Sequence, residues 1–185
     1  LFEWFEYYLQ GRGPQPEYNA QIQRSDGQWR VEDTWPPIDS EDYLFDLGEC
    51  GNDGAFTGGL PVIGGGAPVV GGGQTVTVEC PEINPDFPMH ISGLVTLHLS
   101  AVPTFDGGQI FVEMQNMQTG ARIGHATMDV RYHEGGYEPQ TVTPGQEITM
   151  MMEFQAIDAI VKPGQGIRFI LSDTGEDYLA PACGS

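Results

Sequence analysis

The sequence predicts an all-β fold, a β-sandwich or jelly roll preceded by one short helix. Apolar and polar residues alternate with a period of two along most of the 185 residues, as expected of antiparallel sheets with one buried face. The chain also contains 26 glycines and 14 prolines, which supply turns between short strands. About eight strands separated by such turns favour a sandwich or jelly roll over a helical or doubly wound fold.

The first element is a helix. Residues 1–10, with the sequence LFEWFEYYLQ, predict a short helix that ends at Gly11. Seven of these ten residues are apolar or aromatic, and they are not confined to one narrow stripe. Such a helix should be covered on more than one side. Two interpretations stay open: an ordinary core helix, or a helix that packs against a partner domain.

The strands are predicted from stripes of alternate apolar residues that would face the core. In chain order the stripes are Tyr18–Ile22; Tyr43, Phe45 and Leu47; Val76 and Val78; Val95, Leu97 and Leu99; Ile110, Val112 and Met114; Gly124–Tyr132; Ile148–Ala156; and Ile167, Phe169 and Leu171. The same alternation places His98 and His125 on polar strand faces, where a surface or inter-domain role is favoured over metal binding.

One segment lacks this alternation. Residues 58–73, GGLPVIGGGAPVVGGG, carry no charge and no aromatic side chain, which is typical of a surface loop between strands. We therefore expect two parts, a helix and linker in residues 1–17 and the sandwich in residues 18–185.

The charge of the chain limits its partners. It has 26 acidic and 7 basic residues, a formal net charge of −19, and such a surface repels phosphates. We expect neither nucleic acid nor acidic membranes as partners, and the apolar runs are all shorter than the ~20 residues that span a bilayer. The acidic surface is interpreted as a means of solubility, with adaptation to a saline habitat as a second contribution.

Three cysteines leave the cellular compartment open. Cys50 and Cys80 bracket the glycine-rich segment, so either a disulfide between them or reduced, buried thiols fit the spacing, and Cys183 is left over. A disulfide would indicate a secreted protein, and free thiols a cytoplasmic one.

Motifs for catalysis are missing from the sequence. No serine lies in a G-x-S-x-G nucleophile elbow, and no H-E-x-x-H zinc motif occurs. We expect no catalytic residue, no cofactor and no metal ligand in this chain. The acidic runs at 32–33, 39–42 and 173–177 are interpreted as solvated turns, with calcium binding as the alternative.

Several segments together resemble the C-terminal region of the X-Pro dipeptidyl-peptidase and cocaine-esterase-like (CocE/NonD) serine hydrolases. The family's W-F-D-x-x-L-K-G helix, its W-R-x-x-x-x-W-P stretch and its A-G-H-x-I-R strand have counterparts in the same order. The matching segments are Leu1–Gly11 (LFEWFEYYLQG), Gln28–Pro36 (QWRVEDTWP), His90–Gly93 (HISG), Met128–His133 (MDVRYH), Thr143–Gln146 (TPGQ) and Val161–Ser172 (VKPGQGIRFILS). Gln165 stands where the family usually has histidine, which would alter one polar contact.

The resemblance implies a galactose-binding-domain-like jelly roll without catalytic residues. The family's Ser-His-Asp triad belongs to an α/β-hydrolase domain upstream, and none of its positions maps onto this sequence. The expected function is an accessory domain that stabilises the catalytic domain and helps to wall the cleft for a peptide or ester substrate. The residues expected to contact that domain are Phe2, Trp4, Phe5 and Tyr8.

The alternative is an independent carbohydrate- or protein-binding module. Trp29, Trp35 and Tyr137 would then provide stacking platforms at one end of the sandwich. The sequence leaves the oligomeric state undetermined, together with the choice between peptidase and esterase specificity.

Overall fold

The structure is a computed structural model that describes residues 2–17, 20–44, 75–80, 87–103 and 106–172, with residues 75–80 as backbone only. Its described part contains one α-helix and ten β-strands. The elements are α1 (Phe2–Gln10), β1 (Ala20–Gln23), β2 (Trp29–Glu32), β3 (Thr75–Cys80), β4 (Met89–Gly93), β5 (Thr96–Ala101), β6 (Gln109–Asn116), β7 (Arg122–Asp129), β8 (Ile148–Glu153), β9 (Ile157–Val161) and β10 (Ile167–Ser172).

Four strands form the larger sheet, in the antiparallel order β3-β10-β6-β7. Strand β10 is central, and its register sets Phe169 opposite Met114 of β6. Its side chains alternate strictly between buried and half-buried, because each second residue faces the core.

Two strand pairs, β4-β9 and β5-β8, line the other side of the core. They are joined at one end, where the backbone N–H of Phe154 donates a hydrogen bond of 2.8 Å to the carbonyl of Val95. A third antiparallel pair, the β1-β2 hairpin, lies outside the core and contributes no residue to it.

The core fills the space between the larger sheet and these two pairs. Its closest approach is at Gly124 on β7, where a Cβ atom would lie 2.5 Å from Cδ1 of Ile157 on β9. Phe154 and Phe169 meet edge to face with ring centroids 6.5 Å apart. The largest fully buried side chains are Val112, Met114, Met150 and Met152.

The predicted fold class is confirmed: antiparallel sheets packed as an all-β sandwich, with one short helix at the start of the described chain. The jelly-roll and galactose-binding-domain-like connectivity stays a prediction. So does the division into residues 1–17 and 18–185.

The structure corrects two predicted strands. A third, the stripe Tyr43, Phe45 and Leu47, lies outside the described residues except for its start, where Tyr43 and Leu44 are exposed. Along the stripe Gly124–Tyr132 the strand ends at Asp129. There the Asp129 carboxylate accepts a hydrogen bond from the backbone N–H of Arg131 and caps a 3₁₀ turn. The stripe Ile148–Ala156 ends at Glu153, after which the chain bends into β9.

Several other predictions fall outside the described residues. They are the glycine-rich segment 58–73, the acidic run 173–177 and the side chains of Cys50, Cys80 and Cys183.

Candidate functional site

A buried carboxylate joins the β1-β2 hairpin to the sandwich. Asp158 lies on the outward face of β9, yet its side chain is only 1% exposed because the hairpin covers it. Its Oδ2 accepts a hydrogen bond of 2.7 Å from Nε of Arg30 on β2. Its Oδ1 lies 2.5 Å from Nε2 of His90 on β4. A buried charge needs such partners, since an unpaired carboxylate in this position would be costly.

Arg30 is the hub of this polar cluster. Besides Asp158 it forms an ion pair with Glu32, and its Nη2 donates to Oγ of Ser92 at 2.6 Å. Its guanidinium carbon also lies 5.7 Å from the ring centroid of Trp35, a cation–π contact. The side chain is thus held from several sides at once.

The loop after β2 closes over the end of β4. The Trp35–Pro36 peptide bond is cis, and Pro36 packs onto Gly93. Gly93 has φ +124°, and a Cβ there would lie 3.2 Å from Cβ of Pro36. Glycine is therefore required at this position for both backbone and packing reasons. The segments 28–36 and 90–93, far apart in sequence, meet here.

The cluster contains a serine, a histidine and an aspartate but is not arranged as a catalytic triad. A nucleophilic serine needs a base within hydrogen-bond reach that can take its proton. Ser92 instead accepts a hydrogen bond from Arg30, and the described Nε2 contact of His90 is with Asp158. The geometry serves to fasten the hairpin, not to activate a hydroxyl group.

The turn of the hairpin also binds the sandwich. The backbone N–H of Ser25 donates to the carbonyl of Asp158 at 2.8 Å, and Oγ of Ser25 accepts from the N–H of Ile160 at 3.3 Å. These bonds satisfy backbone groups on the edge of β9 that faces away from β4.

Helix α1 presents an aromatic surface. Among the described residues it has no buried side chain, and Phe2, Trp4, Phe5 and Tyr8 are all exposed. The rings of Trp4 and Tyr8, one turn apart, lie 4.8 Å from centroid to centroid. The helix ends where Gly11 donates its N–H to the carbonyl of Tyr7 at 3.1 Å. At nine residues it cannot cross a bilayer, and the described chain has no longer apolar helix.

Exposed apolar side chains are concentrated near the start of the chain. Ten of the large ones described lie in residues 2–44, and five lie in residues 87–172. The ten are Phe2, Trp4, Phe5, Tyr8, Leu9, Trp29, Val31, Ile38, Tyr43 and Leu44. By contrast, every buried hydrophobic residue in the described part of the chain lies between 97 and 171. We name residues 2–44 the N-terminal layer.

The proposed stacking residues are not placed alike. Trp29 is exposed on the outward face of β2, while Trp35 is half-buried against Arg30. Tyr137 is fully exposed in a separate loop between β7 and β8. The described contacts do not bring the three rings together into one platform.

The remaining histidines and acidic residues form no metal centre in the described part of the chain. His98 is exposed on the outward face of β5, and His125 is half-buried on the outward face of β7, as the alternation predicted. Gln165, at the position of the family's usual histidine, accepts hydrogen bonds of 2.9 Å from Nδ2 of Asn116 and from the N–H of Lys162.

Two carboxylates have shifted pKa values, both through arginine. Burial acts to raise the pKa of Asp129, but hydrogen bonds from the side chain and backbone of Arg131 outweigh it and lower the pKa. The pKa of Asp26 is lowered by its hydrogen bond from Arg24 and then by the N–H of Gln28. Both groups stabilise turns, Asp26 in the β1-β2 hairpin and Asp129 after β7.

Comparison with known proteins identifies relatives of the sandwich. Residues 86–182 match the family described as the X-Pro dipeptidyl-peptidase C-terminal non-catalytic domain. No curated protein matches the chain in sequence.

Solved structures share the fold. An aminopeptidase from the marine sediment archaeon Thaumarchaeota archaeon has a TM-score of 0.59 at 11% identity, covering 92% of this chain and 36% of its own. A CocE/NonD family hydrolase from Staphylococcus aureus has a TM-score of 0.56 at 12% identity, covering 97% and 38%. The chain thus spans little more than a third of these proteins.

Proposed function

This chain belongs to the family of X-Pro dipeptidyl-peptidase C-terminal non-catalytic domains, and from that premise we propose an accessory role for it. It is a β-sandwich within a larger α/β serine hydrolase, where it stabilises the catalytic domain and helps to wall the substrate cleft. The catalytic domain supplies the nucleophile and base, and hydrolyses a peptide or an ester by acyl transfer through serine.

The observation that carries this proposal is the aromatic surface of α1. Phe2, Trp4, Phe5 and Tyr8 are exposed on a helix that buries none of its side chains among the described residues. Aromatic residues are enriched in the buried centres of protein interfaces. A helix with this surface gains stability from packing against another domain, and we assign that contact to the catalytic domain.

A protruding loop is suited to wall the cleft. Residues 133–140 carry Tyr137 at full exposure, and the side-chain amide of Gln140 donates to the carbonyls of Glu138 at 2.6 Å and Gly135 at 3.3 Å. These bonds hold the backbone of the loop, on which the ring of Tyr137 is fully exposed. An exposed aromatic ring on such a loop can restrict the entrance of a neighbouring cleft.

The proposal is tested by hydrolysis assays on the isolated chain and on the full-length hydrolase. Chromogenic esters and X-Pro amides should be cleaved by the full-length protein only, since the described Ser92 and His90 form no nucleophile–base pair. Hydrolysis by the isolated chain would overturn the accessory role. In the full-length protein, Tyr137→Ser should raise KM more than it lowers kcat, while Met151→Ser, on the outward face of β8, should change neither.

The competing binding-module hypothesis gives a different result. An isolated chain that binds glycans on an array, and loses that binding in the Trp29→Ser variant, would favour an independent carbohydrate-binding function over the accessory one.

A further inference from the structure

Strand β2 exposes its apolar side chains and turns its charged side chains toward the sandwich. Its apolar residues Trp29 and Val31 are 66% and 46% exposed, whereas the charged residues between and after them are half-buried against the sandwich. A strand that covers a protein core normally does the reverse. The register with β1 places Gln23 opposite Trp29 and Gln21 opposite Val31, so the outward face of the hairpin is formed by four uncharged side chains.

The hairpin is held in this orientation. Arg30 is bound to Asp158 and Ser92, and Ser25 makes two hydrogen bonds with the backbone of β9. If Trp29 faced inward, these contacts would be broken and the buried carboxylate of Asp158 would lose its arginine partner. The outward face is therefore a fixed feature of the surface.

We propose that this face, formed by Gln21, Gln23, Trp29 and Val31, is a second docking surface for the catalytic domain of the same hydrolase. The inference rests on the proposed function and extends it from the helix to the hairpin. The exposed apolar side chains of α1 and of the hairpin would then both contact the catalytic domain.

The size of α1 supports a second surface. A nine-residue helix is only about 14 Å long, whereas a stable interface usually buries about 800 Å² on each partner. The hairpin follows α1 after residues 11–19, close enough in the chain for one domain to cover both. The two surfaces together offer two tryptophans, Trp4 and Trp29, of the kind that dominates binding energy at interfaces.

The charge of the face indicates the chemistry of its partner. The chain has a net charge of −19, yet no ionisable group lies among these four residues. Loss of charge is typical of the centre of an interface with another apolar or uncharged protein surface. Carboxylate and guanidinium groups could bind sugar hydroxyls, but those of the hairpin are not on this face. The side chains of Arg30 and Glu32 face the sandwich, and those of Arg24 and Asp26 pair with each other in the turn.

Hydroxyl-radical footprinting of the full-length hydrolase tests the proposal. The labelling rate of each side chain is compared between the native protein and the same protein unfolded in urea. Trp29 and Val31 should be protected severalfold in the native protein, although the sandwich itself leaves them exposed. Met151 serves as the matched control, because it is exposed on an outward strand face that belongs to neither surface.

The outcomes separate this inference from the proposed function. Protection of both Trp4 and Trp29, unchanged on dilution, supports both. Protection of Trp4 with free labelling of Trp29 overturns the hairpin surface and leaves the accessory role standing. Free labelling of both overturns both. Protection of Trp29 that disappears on dilution would assign the face to a second copy of the protein. Protection that appears only when oligosaccharide is added would assign it to a sugar. Either result overturns the proposal.

Discussion

Phenylalanine occurs in both regions of the molecule and behaves differently in each. Phe154 lies at the end of β8 with 2% of its surface exposed and meets Phe169 across the core. Phe5, in the N-terminal layer, is 40% exposed and touches only its helix neighbour Trp4 among the described ring contacts. Among the described residues, the sandwich buries most of its large apolar side chains, whereas the N-terminal layer leaves most of its own exposed. The difference supports the proposal that another surface of the full-length hydrolase covers the second region.

The two regions are fastened by polar contacts where an apolar core would be usual. The hairpin is attached through Arg30, Asp158 and Ser25. Such bonds fix an orientation because they are directional, and they leave the apolar side chains of the hairpin free to face outward. The hairpin is therefore positioned by the sandwich, while Trp29 and Val31 stay exposed.

The largest expected effect comes from truncating the core. In the isolated chain, Phe154→Ala should lower the free energy of unfolding by about 3–5 kcal/mol, because it removes a buried ring and leaves a cavity. Phe5→Ala in the same chain should change it by only about 0.5 kcal/mol, as is usual for surface substitutions. Urea unfolding followed by circular dichroism measures both. Equal losses for the two variants would contradict the contrast between the regions.

A smaller effect is expected from the polar fastening. Asp158→Asn keeps the shape of the side chain but removes its charge, and should cost about 2 kcal/mol, the value of a charge-assisted hydrogen bond in a buried site. Hydrogen exchange should accelerate in residues 20–32 and in β4, where Arg30 and His90 lose their shared partner, but not in β10. Asp129→Asn, at an ion pair in a turn of the sandwich, is the control and should leave exchange in residues 20–32 unchanged. Uniform acceleration through the whole chain would show that Asp158 does not act on the hairpin in particular.

The smallest effect concerns a turn within the sandwich region. The pKa of Asp129 is lowered in the folded state, so its contribution to stability is present above its unfolded-state pKa of about 4 and is lost as the pH falls through the folded value. Asp129→Asn should therefore cost less than about 1 kcal/mol at neutral pH, because it removes the ion pair with the exposed Arg131 while the asparagine oxygen can still cap the turn. The difference from the native chain should vanish at acid pH in a series of urea titrations. A difference that grows on acidification would refute the assignment.

Much of the sandwich could be predicted from the sequence because its strands alternate cleanly. The stripes at Val95–Leu99, Ile110–Met114 and Ile167–Leu171 became the buried faces of β5, β6 and β10. Strand β2 was not predicted, because its apolar residues face outward and suggest no core stripe. Strand β9 was not predicted either, because its apolar residues follow the longer stripe of β8 with only a bend between them.

The polar cluster could not be found from local patterns. Arg30 and Asp158 are 128 residues apart, and each is unremarkable in its own segment. The resemblance drew attention to Trp29, Arg30, Trp35 and Pro36 as a group, but their partners on β4 and β9 depend on tertiary packing. The helix surface was predictable because seven apolar residues in ten exceed what one helix face needs.

The central claim is that another domain of the same protein covers the N-terminal layer. It is tested most directly by placing Phe5→Ala in the full-length hydrolase and measuring the stability of the complete protein against the isolated chain. We predict that Phe5→Ala lowers the free energy of unfolding of the full-length protein by about 2 kcal/mol or more, as for a buried aromatic residue at an interface. In the isolated chain the change should stay small. The same small change in both proteins would mean that nothing packs on this helix, and would contradict the account.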